Sequence, residues 1–195
     1  LTWLNDKNSA FVFNGGNVKF NGKKAILDKI NISLPYGDVK INGDINNPVS
    51  AEPNFNVKAL LEDINLSKLN TFFPKIKFKQ SYLKNGEIIL KNHDIKFNNI
   101  NISYEEMPLF VNAQIKNIFK NTSIQTNFST IINENTTDSL INPYLISPLK
   151  IKGEIPVKGF IKGTNENYTV SFKTKIPKNS DISFMGANVG DVNYN

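Results

Sequence analysis

The amino-acid sequence predicts a mostly β, antiparallel structure with one apolar face and one wet face, and three observations carry that expectation. Apolar and polar residues alternate over many short runs. Asn, Gly and Pro punctuate the gaps between them. The run I-N-I-S occurs twice, at Ile30 to Ser33 and at Ile100 to Ser103, each time within such an alternating stretch. Successive strand side chains point to opposite faces, so a period of two describes a strand that is buried on one side only.

Taken in order, Val18 and Phe20 mark a first strand, Ile30, Ile32 and Leu34 a second, Val39, Ile41 and Ile45 a third, and Phe55 and Val57 a fourth. The period then changes. Ile64, Leu66, Leu69, Phe72 and Phe73 recur at helical spacing until Pro74, which predicts a short helix over Leu66 to Phe73 with Asp63 or Asn65 near its N-terminus. Alternation resumes at Ile76 and Phe78, at Ile100 and Ile102, and at Val111, Ala113 and Ile115. The stretch Thr137 to Ser147, broken by Pro143 and closed by Pro148, predicts a capped turn or second short helix. Its Leu140, Ile141, Tyr144, Leu145 and Ile146 are expected to cover one end of a sheet. Leu149 to Val157, Val170 with Phe172, and Ile182 with Phe184 complete the strands. Hairpin turns are expected at Asn14-Gly15-Gly16, Asn21-Gly22, Tyr36-Gly37-Asp38, Asn47-Pro48, Asn85-Gly86 and Lys162-Gly163-Thr164. Asn42-Gly43 reads either as a turn or as a Gly inside a strand, because Val39, Ile41 and Ile45 keep phase across it.

Apolar content of 39% with 14 Phe suffices for a core in 195 residues. No run approaches the ~18 apolar residues of a membrane-spanning helix. The chain begins with Leu and shows no leader pattern, so it is expected to be a piece of a longer protein: one β-rich segment, residues 1–195. The two I-N-I-S runs lie about 70 residues apart. They divide the segment into two degenerate repeats, about 1–75 and 76–195, unless the likeness is chance in an Asn- and Ile-rich chain. Without Cys there is neither a disulfide framework nor thiolate chemistry. The net charge of +6 comes from Lys alone. Missing Arg and the lack of a basic cluster interleaved with aromatics argue against nucleic acid as a partner. Lys75, Lys77 and Lys79, like Lys150 and Lys152, read as the wet side of strands, with anionic lipid headgroups as the next reading.

A search for chemistry returns little. His93 stands alone, with no second His and no Cys to share a metal, and reads as a solvated turn residue. Glu105 and Glu106 point to opposite faces if extended, so they make no carboxylate pair. Asp38 and Asp44 are explained by turn chemistry beside glycines. Neither a phosphate loop nor a nucleophile elbow is present. No catalytic, cofactor-binding or metal-ligating residue is therefore assigned, and no cofactor is expected. A non-enzymatic role follows.

Two stretches share an order of elements. One is G-D-V-K-I-N-G-D-I-N-N-P at Gly37 to Pro48, followed by an alternating strand and I-N-L-S-K-L-N-T-F-F-P at Ile64 to Pro74. The other runs N-P-Y-L-I-S-P-L-K-I-K-G-E-I-P-V-K-G-F-I-K-G-T from Asn142 to Thr164, followed by Tyr168 to Ile176. This order resembles the repeating units of the AsmA-like family of bacterial envelope proteins. The resemblance implies a long, curved antiparallel sheet forming an open groove, with one or two short helices, apolar inside and polar outside. It further implies a periplasmic place in the cell envelope, a membrane anchor outside this segment, and phospholipid or other lipid acyl chains as partners. The groove candidates are Ile30, Ile32, Leu34, Val39, Ile41, Phe55, Val57, Ile100 and Ile102, expected on one concave side. The rival reading is an extracellular β-sandwich for adhesion or carbohydrate binding, with Trp3, Tyr82 or Tyr168 as sugar platforms and a closed core in place of an open face.

Overall fold

The computed structural model describes residues 12–34, 36–71, 80–105, 107–164, 167–184 and 187–188. Its strands are β1 (Val12–Phe20), β2 (Lys24–Leu34), β3 (Gly37–Asn46), β4 (Asn54–Asn65), β5 (Ser81–Asn92), β6 (Asp94–Tyr104), β7 (Met107–Lys116), β8 (Ser123–Ile132), β9 (Leu149–Lys152), β10 (Ile155–Thr164), β11 (Tyr168–Thr174), β12 (Asp181–Phe184) and β13 (Ala187–Asn188). Ten of them build one antiparallel sheet in the order β1-β2-β3-β4-β5-β6-β7-β8-β10-β11, while β13-β12-β9 form a small second sheet. The large sheet is open, with β1 and β11 at opposite edges. Nearly every neighbour in it is also a neighbour in sequence. Short alternating runs with tight connections leave a meander as the simplest arrangement.

Cross-strand partners share a face, so the register decides what each side of the sheet is made of. One row crosses all ten strands: Val18, Leu27, Gly43, Val57, Leu90, Ile95, Ile115, Ile124, Gly163 and Tyr168. A second runs Ile30, Ile41, Ala59, Ile88, Phe97, Ala113, Thr126, Ile161 and Val170. The opposite face carries Asn, Gln, Ser, Lys, Asp and Glu at the intervening positions. At ~4.8 Å between neighbouring strands, the apolar rows extend roughly 43 Å across the sheet.

The strand groups β1–β3 and β5–β7 follow one plan displaced by 70 positions. The register of β1 against β2 shifts on either side of Gly15, and that of β5 against β6 on either side of Asn85. Between β2 and β3 it shifts after Leu27, and between β6 and β7 after Phe97. At each of the latter bulges one residue takes a left-handed conformation, Lys29 with φ 51° and Asn99 with φ 50°. Its freed N–H donates to an Asn carbonyl oxygen on the next strand, Asn42 Oδ1 at 2.7 Å and Asn112 Oδ1 at 2.8 Å. Each bulge turns the following Ile, Ile30 or Ile100, onto the apolar face, where both are buried. Glycine makes room for them. A Cβ on Gly16 would lie 2.6 Å from Ile30 Cα, and one on Gly86 2.4 Å from Ile100 Cδ1.

Three features expected as turns are therefore parts of strands. Asn14-Gly15-Gly16 lies inside β1 and Asn85-Gly86 inside β5. Lys162-Gly163-Thr164 likewise ends β10. The same small, flexible residues serve bulges as readily as turns. Asn42-Gly43 is within β3, the second of its two expected readings. Asp38 and Asp44 are also strand residues: Asp38 accepts from Ser33 Oγ at 2.5 Å, and Asp44 from Asn46 and Asn56 at 3.2 Å each. Asn21 is a true turn residue, its Oδ1 accepting the N–H groups of Lys23 and Lys24.

The first helical stretch is a 3-10 turn, Leu66–Thr71, with Asn65 Oδ1 accepting from Ser67 N at its start. Asp63, the other candidate cap, is a β4 residue at φ 51°. Phe72, Phe73, Pro74, Ile76 and Phe78 fall outside the described residues, as do Trp3 and Glu106. The α-helix α1 (Glu134–Leu140) begins earlier than the sequence suggests, because Asn133 and Thr136 cap it reciprocally. A 3-10 turn at Asn142–Tyr144 follows. Leu145 and Ile146 do not cover the sheet: both are exposed, and Ile151 and Ile155 take the buried positions of that corner instead.

Candidate functional site

All nine groove candidates lie on one face. Ile30 pairs with Ile41, Ile32 with Val39, and Leu34 with Gly37. Ile41 continues to Ala59, Val39 to Leu61, while Phe55 pairs with Ile45 and Val57 with Gly43. Ile102 faces Leu83, which pairs with Ile64; Ile64, Leu83 and Ile100 form the buried cluster of the sheet, flanked by Val39, Leu61, Phe97, Ile102 and Val111. Sequence reasoning missed much of the remaining surface. Leu90, Ile95, Ile115, Ile124, Ile161 and Val170 belong to the same face, and their runs are as regular as those singled out.

Most of this face is half-buried and not sealed. Of its long rows only a few residues are buried, and Phe13, Val18, Phe20, Ile124, Val170 and Phe172 are exposed. The small sheet packs with α1 at one corner, through β9, and none of the described elements forms a second layer over the ten strands. Contiguous exposed apolar surface beyond a few hundred Å² is uncommon on monomers and marks an interaction surface.

The polar face is organised differently in its two halves. From β2 to β5 it carries three ion pairs: Lys24 with Asp44 at 3.4 Å, Lys40 with Glu62 at 2.7 Å, and Lys58 with Glu87. The Lys58 ammonium and the Asn98 amide hold the Glu87 carboxyl below its ordinary range, and the hydrogen bond to Glu62 holds Lys40 above its own. From β6 to β11 the face bears Lys96, Lys116, Lys158, Lys162 and Lys173, none of which forms an ion pair among the described residues. Three aromatic side chains stand out from the polar face, Tyr82 of β5, Phe110 of β7 and Phe160 of β10, with 49%, 47% and 39% of their surfaces exposed. Two depressions open on this face. One of about 510 Å³ is lined by Leu60, Glu62, Asn85, Glu87, Asn98 and Asn112. The other, about 200 Å³, lies among Lys96, Asn98, Asn112, Gln114, Gln125 and Asn127.

His93 sits in the turn between β5 and β6, as expected, half-buried with its ring edge-on to Phe119 at 5.3 Å between ring centres. Among the described residues no group of His, Asp and Glu could hold a metal ion. No helix among them is long and apolar enough to cross a membrane. The candidate site is a surface: an apolar sheet face on one side, and a lysine-bearing amide face on the other. Tyr168, one of the sugar platforms considered above, lies on the apolar face; Tyr82 lies on the polar one. Comparison of the chain with family models, with curated proteins and with solved structures returns no match.

Proposed function

We propose that this chain is a non-enzymatic, lipid-handling segment of an AsmA-like envelope protein, in which acyl chains lie along the apolar face of the ten-stranded sheet as in an open trough. The observation that supports this most is the continuous apolar register through all ten strands without a covering layer among the described residues. Each methylene taken out of water onto that face contributes about 0.8 kcal/mol. A chain of fifteen or so carbons would therefore bind appreciably from contact alone, and no polar group need define its position. Non-directional contact of this kind suits passage along a surface better than capture at one point. In this reading the segment works in the periplasm, anchored to a membrane by parts of the protein beyond it, with phospholipid or related lipid as cargo.

The test places a photoreactive side chain at Ile41, Val57 or Leu90 and, as controls, at Lys40 or Lys58, and measures adducts with phosphatidylethanolamine. Adducts at the first three and not at the last two are expected. Ile41→Asp and Val57→Asp should weaken acyl-chain binding, because a charge lying under a bound chain must lose its water, while Lys40→Gln and Lys58→Gln leave it unchanged. Unfolding of both charged variants together with an absence of adducts at inward positions would show a sealed core, and the lipid reading would be abandoned.

A further inference from the structure

The polar face of β6–β11 carries a pattern that the lipid reading does not use. One row of cross-strand partners is Lys96, Gln114, Gln125, Lys162 and Thr169. The next is Asn112, Asn127, Phe160 and Ser171. The third is Asn101, Phe110, Ser129, Lys158 and Lys173. Lys158 and Lys173 are thus direct partners, and like charges placed opposite one another on a sheet are destabilising. No described carboxylate relieves them. The acidic residue of this region, Asp94, stands at its margin and accepts from Asn117 N–H. Unrelieved lysines are an electrostatic complement to a polyanion.

The aromatic groups add a spacing. Tyr82 pairs with Ser103, which pairs with Pro108, two residues before Phe110; Phe110 pairs with Ser129 and through it with Lys158, two residues before Phe160. Each step is two strands across and two residues along, which places successive rings roughly 12 Å apart on one diagonal. Two pyranose units of an extended chain span a comparable length. Between the rings lie amides and hydroxyls, which both donate and accept. That inventory matches a sugar's hydroxyl pairs, whereas a phosphate polymer or a headgroup layer asks for donors alone.

We infer that this face binds a linear acidic polysaccharide, its pyranose rings laid on Tyr82, Phe110 and Phe160 and its carboxylates or sulfates held by Lys158, Lys162 and Lys173. The site occupies the face opposite the proposed lipid track, so either reading can fail while the other stands. Alginate oligomers are the probe, titrated at low salt into the full chain and followed by calorimetry and affinity electrophoresis. Phe160→Ala and the double variant Lys158→Gln/Lys173→Gln should each weaken affinity roughly tenfold, Phe160→Tyr should restore most of it, and Lys40→Gln on the paired half should change nothing. Circular dichroism confirms that each variant folds. Three results overturn the inference: no alginate binding at low salt, binding untouched by the aromatic replacements, which identifies plain ion exchange, or tighter binding of oligo(dT) or of phosphatidylglycerol vesicles than of alginate.

Discussion

Strands β1–β3 and β5–β7 share a register, a bulge and a buried Ile, yet their polar faces have diverged. Asp38, Lys40 and Asp44 of the first group occupy the positions taken by Pro108, Phe110 and Gln114 in the second. The Asn that closes the bulge, Asn42 or Asn112, is the same in both. The difference teaches which positions the sheet needs and which it leaves free. Residues that set curvature and apolar packing repeat; those facing water on the other side change from a surface with cross-strand ion pairs to one with aromatic rings and lysines that form no ion pair among the described residues. A surface whose composition alters while its scaffold stays constant is one on which different partners can be accommodated without refolding.

The comparison can be broken most severely at the glycines. Gly16→Val should destabilise by about 3 kcal/mol, since an added Cβ meets the Ile30 backbone and the φ of 108° disfavours any side chain. Gly86→Val should cost less, because the obstacle there is the Ile100 Cδ1 methyl, which can turn aside within its cluster. Urea melts of the two variants measure this, and a near-neutral result for either would remove the glycine–isoleucine device. Of similar size, Ile100→Ala should cost roughly 3 kcal/mol, and Ile30→Ala less. Ile100 belongs to the cluster with Ile64 and Leu83, whereas Ile30 is buried outside it.

Asn42→Ala and Asn112→Ala should each cost about 1 kcal/mol by orphaning one bulge N–H. Their effects should add in the double variant, as they touch no common partner. Strongly unequal losses would show that the bulges are held by different means. The smallest effect is a matter of pH. Glu87 has its folded pKa depressed by Lys58 and Asn98. Its contribution is therefore present above the ordinary glutamate range and lost as pH falls through the depressed folded value. Glu87→Gln should flatten the acid limb of a stability–pH profile only slightly, as expected for a pair near the surface.

Much of the scaffold was legible in the residues because a one-sided sheet writes its period directly into the chain. Val39, Ile41 and Ile45, or Val111, Ala113 and Ile115, could hardly pack otherwise. Turns and bulges read alike in the chain, since Asn14-Gly15-Gly16 and Asn85-Gly86 use the left-handed and close-approach freedom that hairpins also require. The short helix starts at Glu134 and not within the Thr137 run, because its cap is Asn133, which carries no sign in the chain that sets it apart from the many other Asn residues. The pattern on the polar face was illegible for another reason. Phe110 sits between Leu109 and Val111 and looks like one more core residue; only the pairing of β7 with β6 and β8 reveals that it stands among Asn101 and Ser129. Neighbourhood on a sheet is a property of register, which no single strand contains.

Pairing between sequence neighbours also bears on how such a sheet comes into being. Most strands pair with the strand that follows them in the chain, so the energetics approach those of a linear array with nearest-neighbour coupling. The departure from this rule is the step from β8 to β10, where α1 and the small-sheet strand β9 intervene. The β8–β10 ladder itself runs unbroken over ten residue pairs. Hydrogen exchange should therefore show protection grading outward from β4–β6 toward β1 and β11, with α1 and the small sheet opening as a separate unit. An insertion that can loosen while the ladder beside it stays closed would give the array one place to change without losing its register.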